Sequence, residues 1–417
     1  MKVLASFFRA RMASVVMSAS GGAARSASTT PLRVTGMPSG PFPVGVTTMQ
    51  FDDPTRGRGL QTEIWYPASP ETADLPRNKY SDYLGRGLIP GSIEAAEEED
   101  AIGGYRDGIT IAELDETWPN EAVRDARVCD QCTSPWPLVI FSHGSGAFRA
   151  SYIYWTEFLA SHGFIVVACD HPGSARYTQV DGEVIRPGGA RSKRSQMEAD
   201  RPADMLFLLD CMEDLSSKRA DSRFAGRIDT TRCALTGMSF GGWSTAAALE
   251  SRDPRVKAAI LQCPSLSMSG SGTLAEERQE MEVPVMVQLG TEDTVIGEAG
   301  NEAGRRYVQT HNGPAYCVEV VRGGHVSFTS GDLYNPKYGN GIGSSCGSLT
   351  KPGTQYEPLK IEEQHQIINS YGLAFLNAHL RSDAETSPGM AASAGTFNGE
   401  YLTANHFGDE VLLNAKP

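Results

Sequence analysis

Cys233-Ala-Leu-Thr-Gly-Met-Ser239-Phe-Gly-Gly-Trp243 is the stretch that decides how this chain is read. Strand-like residues run into Gly237-Met238-Ser239-Phe240-Gly241, and a helical pattern from Trp243 to Glu250 follows. The order is strand, G-x-S-x-G, helix. A serine hydroxyl attacks a carbonyl poorly unless it is exposed, close to a base and beside donors for the developing oxyanion. A tight strand-to-helix turn supplies the exposure, and its glycines lack the Cβ atoms that would collide where helix folds back on strand. The helix start adds N–H groups and positive dipole. The alternative is a Gly-rich turn that happens to hold a serine, and the flanking strand and helix argue against it.

Outward from the elbow the pattern alternates. Strands are expected at 137–142, 164–169, 258–262, 285–289 and 318–321, the second a near-continuous apolar run. Helices are expected from Tyr152 to His162, over roughly 195–218, and at 299–311 and 360–381. This alternation implies a mostly parallel central sheet with helices on both faces. Active groups then gather outside the carboxyl ends of the strands.

Three further stretches end strands on that edge. Phe141-Ser-His-Gly-Ser-Gly146 is an H-G-x-G turn, so the Ser145 N–H is one expected oxyanion donor and the Phe240 N–H the other. His143 reads as a loop-fixing residue. Together with Gly144, His171 and Met238 it is also a candidate for the substrate pocket. Leu289-Gly-Thr-Glu-Asp293 offers a carboxylate to orient a histidine, with Asp293 preferred over Glu292. Arg322-Gly-Gly-His325 brings an imidazole on a glycine loop after the last strand. The chain order Ser239, Asp293, His325 is the one this architecture uses. The other seven histidines lack that loop context.

The ends and the early chain read differently. Residues 1–51 hold no Asp or Glu but carry Lys2, Arg9, Arg11, Arg25 and Arg33. They read as a targeting segment, and an organellar transit peptide, a secretory signal and an untargeted leader (1–41) stay open. Strands at 44–51 and 61–66 flank an Asp52-Asp53-Pro54 turn. Residues 70–127, with Glu97-Glu-Glu-Asp100, read as an insertion of short helices over the sheet and a candidate lid. The main domain is expected over 42–382, with a C-terminal extension at 383–417.

A formal charge of −13 without a basic block argues against nucleic-acid binding. No run of 18 uncharged apolar residues exists, so no transmembrane segment is expected. Cys129 and Cys132 form a lone C-x-x-C that reads as a local disulfide or two free thiols, since a zinc ribbon needs a second pair. No metal and no cofactor are expected.

Several of these stretches together carry a family likeness. They are Pro137-Leu-Val-Ile-Phe-Ser-His-Gly-Ser-Gly-Ala-Phe-Arg149, Leu159-Ala-Ser-His-Gly-Phe-Ile-Val-Val-Ala-Cys-Asp-His171, Asp229-Thr-Thr-Arg232, Ser239-Phe-Gly-Gly242 and Glu63-Ile-Trp-Tyr-Pro67. Over about residues 42–382 the chain resembles α/β-hydrolase-fold esterases, in particular the platelet-activating-factor acetylhydrolases and predicted dienelactone hydrolases. The resemblance implies metal-free hydrolysis of carboxylic esters through a Ser-His-Asp triad and an acyl-enzyme. Small-molecule esters, including lipid and polyester ones, are the implied partners. Two departures stand out. Met238 takes the place where the acetylhydrolases usually have histidine. Their usual acid site here reads Gln262-Cys263-Pro264, so the acid is expected at Asp293, as in dienelactone hydrolases, whose nucleophile is typically cysteine. A serine peptidase or amidase of the same fold and a non-catalytic binding protein are the rival readings.

Overall fold

The computed structural model describes residues 40–85, 110–117, 120–130, 134–185, 188–217, 223–267, 281–330, 346–381 and 397–416. Residues 1–39 of the leader, the acidic run at 97–100 and Cys132 lie outside them.

Strands β1 (Val44–Asp53) and β2 (Arg58–Pro67) form a hairpin about the expected turn. Helices α1 (Tyr80–Tyr83) and α2 (Ile111–Thr117) precede β3 (Ala122–Arg124). The alternating body is β4 (Trp136–Ser142), α3 (Ile153–Ser161) and β5 (Ile165–Cys169). A small β6–β7 hairpin (Thr178–Val180, Glu183–Ile185) leads to α4 (Arg194–Ser216) and β8 (Ile228–Met238). Then come α5 (Phe240–Ala248), β9 (Val256–Gln262), β10 (Val285–Gly290), α6 (Gly297–Thr310) and β11 (Ala315–Val320). A second hairpin, β12–β13 (Cys346–Gly347, Gln355–Tyr356), precedes α7 (Ile361–Leu380) and β14 (Val411–Lys416).

The sheet order is β14-β11-β10-β9-β8-β4-β5-β2-β1-β3. From β5 to β11 every neighbouring pair is parallel, and β2 and β14 join antiparallel at either side. Side chains alternate across this sheet with period 2. Val139, Phe141, Ala258, Ile260, Val318 and Val320 pack with Trp155 and Leu159 of α3 and Ile368 and Phe375 of α7. Leu138, Ile140, Ala259, Leu261, Ala315 and Cys317 pack with Met205 and Leu208 of α4, Ala246 of α5 and Val308 of α6. Both faces are thus covered, which is why the central strands read as unbroken apolar runs. Each fully buried Ile or Phe contributes about 1.5–3 kcal/mol. Helix α7 lies close to α3 because residue 372 is glycine: a Cβ there would come 2.3 Å from the Trp155 ring.

Two parts of the chain belong to the sheet where the sequence suggested otherwise. Residues 122–124, inside the expected insertion, form an edge strand parallel to β1. Residues 411–416, inside the expected C-terminal extension, form the opposite edge against β11. Both are edge strands: the first has only three residues, and the second lies in a tail without a neighbouring strand or helix pattern to mark it. The earlier part of the insertion is anchored to the core. Tyr80 and Tyr83 are buried, the first edge-on to Phe148 and the second beside Trp65. Among the described residues no helix is long and apolar enough to cross a membrane.

Candidate active site

Strand β8 ends at Met238 and α5 begins at Phe240, so Ser239 alone makes the turn. Its φ of 57° and ψ of −116° lie where a non-glycine residue is strained by about 1–3 kcal/mol. Three hydrogen bonds hold it there. Its N–H donates to Gln262 O at 2.8 Å, and its carbonyl accepts from Trp243 and Ser265 N–H, each at 3.1 Å. Gly241 permits the approach of α5 to β4: a Cβ there would lie 1.8 Å from Ser142 O. Ser239 itself is half-buried among buried neighbours, so its hydroxyl is the group left open to solvent.

The H-G-x-G turn lies against the nucleophile. A Cβ on Gly144 would come 3.5 Å from Ser239 Cβ and 2.8 Å from Tyr152 Oη. The Gly144 N–H donates to Tyr152 Oη at 2.9 Å, and that hydroxyl donates to Met238 Sδ at 3.5 Å. Ser145 is exposed at the tip. Among the described residues neither the Ser145 nor the Phe240 N–H has a protein acceptor. His143 and His171, expected to line the pocket, are sealed inside instead, with 0% and 1% of their surface exposed. His143 Nδ1–H donates to Gly144 O at 2.7 Å, and its Nε2 accepts the His171 N–H at 3.1 Å. It therefore fixes the loop. Burial pushes its pKa well below the usual histidine value, so it stays neutral. Met238 is 2% exposed and packs beneath the turn.

The acid and histidine turns are stitched together by backbone. Thr291 N–H donates to Val320 O at 3.0 Å, Glu292 N–H to Gly323 O at 2.9 Å, and Arg322 N–H to Thr291 Oγ1 at 3.0 Å. Asp293 is fully buried. Its Oδ1 accepts the N–H groups of Val295 (2.9 Å) and Ile296 (3.0 Å), and its Oδ2 meets His325 Nδ1 at 2.6 Å. A 2.6 Å N–O separation is that of a charge-assisted hydrogen bond. The Nδ1 proton is thus held toward Asp293, and Nε2 is left as the acceptor. His325 keeps 7% of its surface exposed.

Glu292 points away from its neighbour. It is only 6% exposed, and its carboxylate accepts from Ser348 Oγ (2.9 Å), Thr350 Oγ1 (2.6 Å) and Leu349 N–H. It is a buried anchor for the β12–β13 hairpin, so its carboxylate is no surface group.

Residues 262–265 form the hub between the two halves. Gln262 and Ser265 bond Ser239, while Cys263, at φ +39°, places its Sγ within 4.8 Å of donor atoms on both Asp293 and His325. In the sequence, Cys263 stood only as part of the stretch that replaces the acetylhydrolases' usual acid. Tyr152, an apolar helix marker there, and Arg201, described below, were likewise passed over. None of the three had a local signal, because each acts on segments distant in the chain.

Against known proteins, the family described as "Platelet-activating factor acetylhydrolase, isoform II" matches residues 28–186, which hold β1, β2, β4, β5 and the H-G-x-G turn. The family described as "PET hydrolase-like" matches residues 132–341, half of the chain, and this span contains Ser145, Ser239, Asp293 and His325. The chain belongs to the PET hydrolase-like family. Among curated relatives, platelet-activating factor acetylhydrolase of Canis lupus familiaris is 29% identical over 257 residues, 53% of each chain. That of Bos taurus is 33% identical over 149 residues, 34% of this chain and 29% of the other. The chain spans about half the length, or less, of these relatives. A ferulic acid esterase structure from Streptomyces cinnamoneus superposes with a TM-score of 0.58 at 23% identity, over 86% of this chain and 97% of the other. This likeness is one of fold, and the fold is that of the α/β-hydrolases.

Proposed function

We propose that this member of the PET hydrolase-like family is a serine carboxylic-ester hydrolase that works through an acyl-enzyme on short-chain or lipid-like esters. The observation that carries the reading is Ser239. It is strained and solvent-open at the same sheet edge as the buried, proton-bridged His325–Asp293 pair. In this reading His325 Nε2 takes the hydroxyl proton as Ser239 Oγ attacks the ester carbonyl. The Ser145 and Phe240 N–H groups receive the oxyanion. His325 then returns the proton to the departing alkoxide, and water, activated by the same imidazole, cleaves the acyl-enzyme and restores the serine. Asp293 holds the imidazole tautomer throughout. The names of the relatives refer to acetyl, PET and ferulic acid hydrolysis, which supports ester cleavage across several acyl groups.

The test is a panel of p-nitrophenyl esters from acetate to decanoate, with a short-acyl phospholipid and a polyester film beside it. Release of chromophore with a pre-steady-state burst is expected on the shorter esters, with slower turnover of the matching anilide. Ser239→Ala should lose about 10⁶ in kcat, the scale of nucleophile loss in a comparable triad. A folded Ser239→Ala protein that keeps more than about a hundredth of the activity contradicts the reading.

A further inference from the structure

Arg201 lies on α4, wholly buried, with 0% of its surface exposed. Among the described residues it forms no ion pair. Asp204, on the same helix, is taken up by Arg56, Arg58 and His171. A guanidinium buried without a counter-ion is costly, and its hydrogen bonds must hold it in place. Those bonds reach three segments. Nη2 donates to Ser142 Oγ at 3.0 Å and to His143 O, at the root of the H-G-x-G turn. Nε donates to Ser244 Oγ at 3.0 Å, on the helix after the elbow, and Nη1 donates to Ser174 Oγ at 2.6 Å. Its Cζ also stands 4.5 Å from the centre of the Phe240 ring, the residue whose N–H is the second oxyanion donor.

We infer that Arg201 is a positioning residue that sets the spacing of the oxyanion hole, by clamping the turn that bears Ser145 to the helix start that bears Phe240. The two donors come from segments about a hundred residues apart in sequence, after β4 and after β8. The planar fork of arginine can bond both at once, which a lysine ammonium cannot match. The contacts also fix the polarity of the network behind it. Arg201 can only donate, so Ser142 Oγ accepts from it and donates to His171 Nε2 at 2.9 Å. His171 Nδ1–H then donates to Asp204 at 2.9 Å. The clamp is thereby tied to a buried anion.

This inference rests on the esterase reading, and the test separates the two. Wild type and Ser239→Ala are assayed first on p-nitrophenyl butyrate. Absence of serine-dependent turnover there defeats the esterase reading itself. Given turnover, Arg201→Met should lower kcat by about 10²-fold, the scale of one lost oxyanion donor, with KM changed by less than about threefold. Arg201→Lys should recover at least about tenfold over Arg201→Met, because a single cationic donor keeps part of the link. Circular dichroism confirms folding for each variant. If Arg201→Met does not fold, Ser142→Ala and Ser244→Ala each delete one arm of the clamp. Each should then lower kcat about three- to tenfold at unchanged KM, the scale of one hydrogen bond. A folded Arg201→Met with kcat within about fivefold of wild type, or single-arm variants with unaltered kcat, would overturn the clamp.

Discussion

The two halves of the candidate site are built by different means. The Asp293–His325 half is local. Two neighbouring parallel strands end side by side, and backbone bonds between residues 290–293 and 320–323 join the turns directly. The Ser239 half also ends on two neighbouring strands, β4 and β8, paired as far as Ser142 and Gly237, but these are far apart in sequence. Beyond the paired strand ends, the turn after β4 and the elbow after β8 are braced by side chains: Tyr152, just before α3, beneath Gly144, and Arg201 of α4 across Ser142, His143 and Ser244. A turn that follows from its own strand can be read in sequence, whereas a spacing set by a remote buried side chain cannot.

If the local half acts as described, Asp293→Asn should produce the largest loss after that of Ser239→Ala. It should lower kcat by about 10⁴, the scale seen when the wrong histidine tautomer is stabilised. Cys263 sharpens this, because its Sγ reaches the same pair. Aspartate tolerates positive φ, so Cys263→Asp placed on Asp293→Asn should recover at least about tenfold of the lost kcat, a fraction of that scale. No recovery would show that only the β10 turn can present the acid. Chelation by EDTA should leave activity of wild type unchanged, and loss restored by zinc would contradict a proton-bridged pair.

Outside both halves, a stability prediction comes next in size. Glu157 of α3 accepts the Glu121 N–H at 2.8 Å. Burial pushes its carboxyl up to about 8. A raised carboxyl favours the folded state below its unfolded value of 4.5, and that contribution is lost as pH rises through the folded value of about 8. Thermal unfolding should therefore show wild type losing on the order of 2–4 kcal/mol between pH 5 and 9 from this group. Glu157→Gln should flatten the slope. An equally steep slope in the variant would place the loss elsewhere.

Tyr152→Phe leaves the buried Gly144 N–H without its acceptor, at about 1–3 kcal/mol. It should lower kcat about tenfold, with KM changing less. Smallest is Glu292→Gln, which weakens the hold on the β12–β13 hairpin without touching His325. It should cost less than about tenfold in kcat and lower the melting temperature by a few degrees. A loss near that of Asp293→Asn would reverse the roles of the two carboxylates.

How much was legible follows the same division. The parallel strands, the main helices, Ser239, Asp293 and His325 each sit where a strand-end motif put them, because strand period and glycine turns are local properties. The edge strand 122–124 was hidden by its length, and the pairing of both it and 411–416 depends on a sheet built elsewhere in the chain. Arg201 looked like one charge among many on a helix, and Tyr152 like one more apolar position. Nothing near either in sequence reveals the carbonyl or N–H that it meets. His143 and His171 followed strands as pocket residues would, but the packing of α4 against the sheet buries both.

The most direct test of the central claim is intact-protein and peptide mass spectrometry after reaction with a fluorophosphonate. One adduct per chain is expected, on Ser239, formed at least about 10³-fold more slowly in Asp293→Asn, in keeping with the tautomer effect. An adduct on another residue, or labelling at equal rates in both proteins, would contradict the triad.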